Sequence, residues 1–74
     1  MKAAKLIKMA NQIGAFFDAM PNREQAVMDV AAHIQKFWDP RMRRQIVAHL
    51  AAGGAGLDPM VLAAVKVLPP VATK

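Results

Sequence analysis

The stretch that decides the fold is KFWDPRMRR, residues 36–44. It joins the only tryptophan of the chain to an Asp-Pro step, and three arginines follow within four residues. Asp39 can accept hydrogen bonds from the free N–H groups at the start of a helix, and Pro40 fits the first helical position, where no N–H is needed. The stretch is therefore predicted to be a corner between two helices, the first of which ends with Phe37 and Trp38.

Outward from this corner, similar signals divide the chain into four helices, so the predicted fold class is all-α. Pro21 ends the first helix, and Asn22 is a good N-cap for the second. A glycine-rich run at 53–56 ends the third helix, and Asp58-Pro59 starts the fourth. We expect a single helical domain over residues 1–70 and a disordered tail at 71–74. The predicted helices cover roughly residues 2–20, 23–38, 40–52 and 59–68.

Apolar residues lie on one face of each of the first three helices. At about 100° per residue, those of the first helix fall within an arc of roughly 120°, which predicts a buried face. That face contains Leu6, Met9, Ala10, Ile13, Phe16, Phe17 and Met20. The corresponding face of the second helix contains Ala26, Val27, Val30, Ala31, Ile34, Phe37 and Trp38. Met42 begins the inner face of the third helix, followed by Ile46 and Leu50.

Arg43 has a different position from its neighbours. Arg41 and Arg44 face away from the apolar side of the third helix, whereas Arg43 falls inside the apolar arc. One interpretation is an ion pair with Asp39, four residues earlier, with the arginine stem lying on apolar surface. The other is a contact with a carboxylate or carbonyl of a partner, which the planar fork of arginine suits. The sequence leaves both open.

The fourth helix, PMVLAAVKVL, is apolar on every side except at Lys66. Helices of this kind are normally buried, and so short a chain is expected to leave Met60 and Val67 uncovered. We therefore predict that a partner or a second copy covers them, the alternative being a loosely exposed helix. The predicted partner-binding residues are Met60, Val67 and the arginines of the corner, Arg41, Arg43 and Arg44.

The composition excludes several classes of function. The 74 residues include no cysteine, which removes disulfides, thiolate metal sites and cysteine nucleophiles. We find no catalytic triad, no paired carboxylates, no phosphate-binding loop and no cluster of metal ligands, so we expect no catalytic, metal or cofactor site in this chain. Lys8 and Asn11 interrupt any signal-like apolar run at the N-terminus, which predicts a soluble, intracellular, cytoplasmic protein.

The net charge of +5 permits binding to nucleic acid or to an anionic membrane surface. Nucleic-acid binding would ideally use exposed aromatic residues on a basic face or a recognition helix of polar residues that read bases, and the third helix offers only its arginines and Gln45 for such reading. Membrane binding would require Phe16 and Phe17 to be exposed. Instead, Phe16, Phe17, Phe37 and Trp38 are expected in the core. A free-standing basic helical protein that binds nucleic acid is nevertheless the main alternative function. Apolar residues make up 55% of the chain, which is more than a single small core can bury. A protein partner is therefore the favoured prediction.

Three segments in a fixed order resemble the delta subunit of soluble, NAD-dependent, molybdenum-containing formate dehydrogenases. They are KMANQIGAFF, VAAHIQKFWDPRMRRQIVAHL and GGAGLDPMVLAAV, and the resemblance extends from about Lys5 to Leu68. The most specific pieces are Met9 to Ile13, His33 to Arg43, and Gly56-Leu57 ahead of Pro59.

The resemblance implies a small accessory subunit without a redox centre, implicated in stability of the complex or in cofactor maturation. In such enzymes the alpha subunit carries bis-molybdopterin guanine dinucleotide molybdenum and iron–sulfur clusters. The beta subunit binds FMN and NAD, and the gamma subunit adds another cluster. It therefore implies a chain that docks on the large alpha subunit, in the same complex as beta and gamma, without binding a cofactor itself. The whole complex would oxidise formate to CO₂ and reduce NAD⁺.

Overall fold

Residues 2–69 are described by the structure, a computed structural model. This part of the chain contains four helices and no strand: α1 (Ala3–Phe17), α2 (Arg23–Phe37), α3 (Pro40–Ala51) and α4 (Pro59–Lys66). The prediction of an all-α fold with four helices at these places is confirmed. The predicted tail at 71–74 lies outside the described residues, and the domain boundary at residue 70 stays a prediction.

Two of the predicted helix starts are capped by side chains. The Oδ1 atom of Asn22 accepts a hydrogen bond from the backbone N–H of Gln25 at 3.1 Å. The Oδ1 atom of Asp39 accepts one from the backbone N–H of Met42 at 3.0 Å, and Pro40 occupies the first turn of α3. Each cap satisfies one of the N–H groups that a helix start leaves without a partner.

The ends of α1 and α4 come earlier than predicted. α1 ends at Phe17 rather than Met20, because the next residues tighten into a turn with hydrogen bonds between residues three apart. The N–H of Asp18 donates to Ala15, and the N–H of Met20 donates to Phe17. Such tightening of the last turn is common at helix C-termini.

The helices are not arranged in chain order. α1 and α4 each contact all three other helices, whereas the consecutive helices α2 and α3 touch only slightly. The corner at Asp39-Pro40 therefore carries the chain from one side of the α1–α4 pair to the other. Trp38, the residue at the corner, is extended (φ −86°, ψ 139°) and is buried.

The core is formed by side chains from all four helices. Its largest fully buried side chains are Leu6, Val30, Ile34, Ile46, Val61 and Val65. The two central helices approach closely at Gly14, where an added Cβ would lie 2.6 Å from Cγ2 of Val61. A side chain at this position would push the two helices apart, so the close packing requires glycine.

The turn after α3 has the two hydrogen bonds of a Schellman motif. The N–H of Gly54 donates to the carbonyl of His49 at 2.9 Å, and the N–H of Gly53 donates to that of Leu50 at 3.0 Å. Gly53 has a φ of +123°, a conformation that favours glycine. The prediction that the glycine run forms a helix cap and turn is confirmed.

Asn11 of α1 fixes the segment that leads into α4. Its Nδ2 donates to the carbonyl of Gly56 at 2.9 Å, and its Oδ1 accepts from the N–H of Asp58 at 3.0 Å. Asp58 makes no capping hydrogen bond with its own side chain. A residue more than forty positions earlier in the chain thus binds the backbone at the start of α4, which joins the two central helices.

Candidate partner-binding surface

The two aromatic residues of the corner lie in opposite environments. Trp38 is 6% exposed, which confirms its predicted place in the core, whereas Phe37 is 66% exposed. The prediction that Phe37 is buried is wrong, because α2 ends at Phe37 and Trp38 leaves the helical path. The extended backbone at Trp38 turns its indole into the core, while Phe37 stays on the outer edge of the helix.

The second aromatic doublet, Phe16-Phe17, divides in the same way. Phe17 is half-buried and packs against the core, whereas Phe16 is 77% exposed. Phe16 was also expected in the core, and that prediction is wrong. Consecutive helical residues point about 100° apart, so two neighbouring aromatic side chains do not both fit one narrow buried face.

The exposed members of the two doublets belong to one continuous row of rings across α1 and α2. The ring centroids of Phe16 and Phe17 are 5.1 Å apart, those of Phe17 and His33 are 6.3 Å apart, and those of His33 and Phe37 are 4.7 Å apart. These separations are typical of favourable aromatic contacts. We call Phe16, Phe17, His33 and Phe37 the aromatic patch.

A shallow groove of about 380 Å³ adjoins the aromatic patch. It is mostly apolar, and it is lined by Met9, Gln12, Ile13, Phe16, Phe17, His33 and Trp38. The side chain of Trp38 therefore contributes both to the core and to the floor of this groove. An apolar groove beside exposed aromatic rings is typical of a surface that another molecule covers.

Exposed lysines lie on both helices that carry the aromatic patch. The Nζ atom of Lys36 lies 5.7 Å from the ring centroid of Phe37, within the range of a cation–π interaction. Lys5 and Lys8 are exposed on α1, and Lys5 lies on the same helical strip as Phe16, eleven residues before it. The nearby carboxylate of Asp29 accepts a hydrogen bond from Gln25 at 2.9 Å.

Arg43 is half-buried, as its place in the apolar arc predicts. Its Nε atom is buried without a hydrogen-bond acceptor. Within residues 2–69 no ion pair joins it to Asp39, and the one ion pair found there joins Arg23 to Asp18 at 4.0 Å. The structure therefore does not contain the intrachain pair, and contact with a partner stays a prediction for this residue.

Met60 does not belong to an exposed surface, and the prediction that it lies on an uncovered side of α4 is wrong. Met60 is 5% exposed, with its Cε 3.8 Å from the point where a Cβ on Gly14 would lie. The reason is that α4 contacts all three other helices, so its apolar sides are covered within the chain. Val67, just beyond the end of α4, is exposed as predicted.

The remaining predicted partner-binding residues, Arg41 and Arg44, are both exposed on α3. The corner residues Asp39 and Pro40 are exposed as well, and Met42 packs against the core from a half-buried position. The predicted set thus includes accessible positions at the corner and at the end of α4. Sequence reasoning missed the aromatic patch, although the two doublets, Phe16-Phe17 and Phe37-Trp38, were a signal for it.

Other kinds of site find little support in the part of the chain that the structure describes. No group of three or more histidine, aspartate or glutamate side chains comes together there as a metal site would require. His33 lies in the row of rings, and the ring of His49 is bonded to the carbonyl of Ala55 at 2.7 Å. Across residues 2–69 the helices are too short or too polar to cross a membrane.

Comparison with known proteins identifies the family. Residues 5–65 match the family model of the NADH-dependent formate dehydrogenase delta subunit FdsD, and this match covers all of α2 and α3 and most of α1 and α4. Comparison with curated proteins gave no match. Comparison with solved structures likewise gave none. The family match extends over most of the chain and includes both aromatic doublets, the corner and the glycine turn, so this chain belongs to the family of formate dehydrogenase delta subunits.

Proposed function

We propose that this chain is a non-catalytic accessory subunit that docks directly on the large alpha subunit of a cytoplasmic, NAD-dependent formate dehydrogenase. In this proposal the alpha subunit holds the bis-molybdopterin guanine dinucleotide molybdenum and iron–sulfur clusters, while FMN belongs to the beta subunit. The delta chain binds none of these groups. The complex oxidises formate to CO₂ and transfers the electrons to NAD⁺, and the delta chain supports its stability or the maturation of its cofactor.

The observation that carries the docking proposal is the exposure of Phe16 and Phe37 beside an apolar groove. Large aromatic side chains in contact with one another on a surface mark sites that a partner covers. The core of the chain is already complete without them, since both aromatic doublets contribute their other member to it. The family places the chain in a formate dehydrogenase complex, and the alpha subunit is the partner that we assign.

The proposal is tested by producing the alpha subunit with and without the delta chain. We expect the alpha subunit made alone to unfold at a lower temperature, to contain less molybdenum, or both. Adding purified delta chain to the finished alpha subunit separates the two roles. A stabilising subunit should restore the unfolding temperature at this stage. A maturation factor acts during assembly, so adding it afterwards should leave the molybdenum content low. An alpha subunit that is unchanged in both properties and does not bind the delta chain would refute the proposal.

One observation supports the alternative of nucleic-acid binding. The expectation of buried aromatic residues was an argument against it, and two phenylalanines are exposed, one of them with Lys36 beside its ring. Bases can stack on such rings. However, neighbouring rings of the patch meet at steep angles, with 87° between Phe16 and Phe17, rather than forming a flat platform for successive bases. Binding to single-stranded oligonucleotides at several salt concentrations tests this alternative, because such binding weakens steeply with salt.

A further inference from the structure

The aromatic patch stands apart from the other exposed apolar residues of the chain. Met28, Val47 and Val67 are also exposed, and each belongs to a different helix or helix end. Apolar residues scattered singly over a surface are normal in soluble proteins. Phe16 and Phe37 are instead linked through the rings of Phe17 and His33, and Phe16 lines the adjoining groove together with those two rings. This concentration of aromatic area is the usual arrangement of binding hot spots.

The charges around the aromatic patch restrict what can cover it. Lys36 lies against the ring of Phe37, and Lys5 and Lys8 are exposed on the neighbouring helix. Three acidic residues lie close to the patch in sequence, and each already has a partner within the chain. Asp29 accepts a hydrogen bond from Gln25, Asp18 pairs with Arg23 at 4.0 Å, and Asp39 accepts from the backbone N–H of Met42. A complementary surface therefore has an apolar centre and carboxylates at its rim.

A second copy of this chain does not meet this requirement. Two copies brought face to face would join two surfaces that each carry exposed lysines, and each chain has a net charge of +5. Like charges at an interface disfavour association, and they do so most where water is excluded. Charge complementarity thus favours a different protein with an acidic surface.

We infer that the aromatic patch is the surface by which the delta chain binds the catalytic subunit. Phe16 and Phe37 enter an apolar pocket of that subunit, and aspartate or glutamate side chains at the rim of the pocket pair with Lys36 and with the lysines of α1. This inference rests on the proposed function and specifies which face of the chain performs it. The face lies on α1 and α2, not on the outer side of α4.

The α2 helix supplies a matched control for the test. Met28 is 56% exposed, close to the 66% of Phe37, and its position nine residues before Phe37 places it on the opposite side of the helix. Phe37→Ser and Met28→Ser therefore remove similar amounts of exposed apolar surface from opposite faces of one helix. Because both side chains are largely in solvent, we expect both variants to keep the helical circular dichroism and to remain folded at the temperature of the binding assay.

Affinity for the purified catalytic subunit is then measured for the full-length wild-type chain and each variant. We expect Phe16→Ser and Phe37→Ser each to weaken binding by about 30-fold or more, the size of a typical hot-spot effect. Met28→Ser is expected to bind as wild type does. Lys36→Glu should weaken binding by about tenfold at low salt and less at high salt. Lys66→Glu, on α4, makes the same change in net charge and should have little effect.

The possible contrary results distinguish failure of this inference from failure of the proposed function. If the wild-type chain binds the catalytic subunit and both phenylalanine variants bind equally well, this inference is wrong and the proposed function stands. If the wild-type chain does not bind that subunit, both are wrong. Sedimentation that shows a dimer lost in Phe37→Ser would assign the patch to a second copy. Salt-sensitive oligonucleotide binding lost in the same variant would assign it to nucleic acid. Either finding overturns the inference. Lys36→Glu keeps the test decisive if a phenylalanine variant fails to fold.

Discussion

The opposite environments of Phe37 and Trp38 lead to a sharp prediction about stability. The two residues are adjacent and aromatic, yet one is 66% exposed and the other is 6% exposed. Replacing each by alanine should therefore have very different effects on the free energy of unfolding. The two substitutions are at adjacent positions at the end of one helix, so the difference between their effects on stability reflects the local environment of each side chain.

The expected magnitude for Trp38 follows from its burial. An aromatic side chain buries roughly 150–250 Å², which at about 25 cal/mol per Å² corresponds to about 4–6 kcal/mol. Measured replacements of buried tryptophan by alanine cost about 3–5 kcal/mol. A domain of this length has a total stability of about 4–11 kcal/mol, so Trp38→Ala should remove a large share of it.

Phe37 is only about one-third buried, so replacing it by alanine loses much less buried area than Trp38→Ala does. The replacement also removes the cation–π contact with Lys36 at 5.7 Å. Alanine has the better helix propensity and recovers part of that loss. We expect Phe37→Ala to cost about 1 kcal/mol, which is a fall of about 4–8 °C in Tm for a domain of this size.

Urea unfolding followed by circular dichroism at 222 nm measures both changes on one scale. Tryptophan fluorescence provides a second probe in Phe37→Ala, where Trp38 is retained. Equal destabilisation by the two substitutions would refute the inside–outside assignment at the corner. A Trp38→Ala variant that unfolds within a few degrees of wild type would show that Trp38 is not part of the core.

The other predictions concern the central helix pair and the predicted docking residues. Gly14→Ala should lower stability by about 1–3 kcal/mol, because the added methyl group overlaps the buried Val61; a stabilised variant in thermal unfolding would contradict the close packing. Asn11→Ala should cost about 1–3 kcal/mol through the loss of two hydrogen bonds, with faster amide exchange at the start of α4, and wild-type exchange there would exclude this role. Arg43→Lys should weaken binding to the catalytic subunit if its guanidinium forms a bidentate contact there, and unchanged affinity would leave Arg43 a merely local role. Val67→Glu should weaken the same binding with unchanged circular dichroism only if the end of α4 belongs to the interface, so wild-type affinity would confine docking to other surfaces.

The sequence was sufficient for the fold because its signals are local. A capping Asn or Asp accepts from the N–H three residues later, and Pro40 fits the first turn whatever the rest of the chain does. The glycine turn after α3 also depends on nearby atoms, since its two hydrogen bonds return to Leu50 and His49. Features of this kind do not require knowledge of which helices are neighbours.

The predictions that failed depended on distant neighbours. Met60 was expected outside because a helix packed on one face leaves the opposite face uncovered. The close approach at Gly14 and the contacts of α4 with all three other helices remove that uncovered face. A helical wheel gives the direction of each side chain but not the number of helices around it, and α2 and α3 lie on opposite sides of the central pair although they are consecutive.

This arrangement also changes where the surplus apolar material of the chain lies. The sequence predicted that it lies on α4, but the apolar sides of that helix pack against the other three helices. The surplus is on α1 and α2 instead, because each aromatic doublet has one member that the core accepts and one that it does not. A core this small cannot take four large aromatic side chains from two helix ends that meet side by side. Phe16 and Phe37 therefore remain at the surface, linked through the rings of Phe17 and His33, and the same packing that completes the core produces the patch that we assign to the partner.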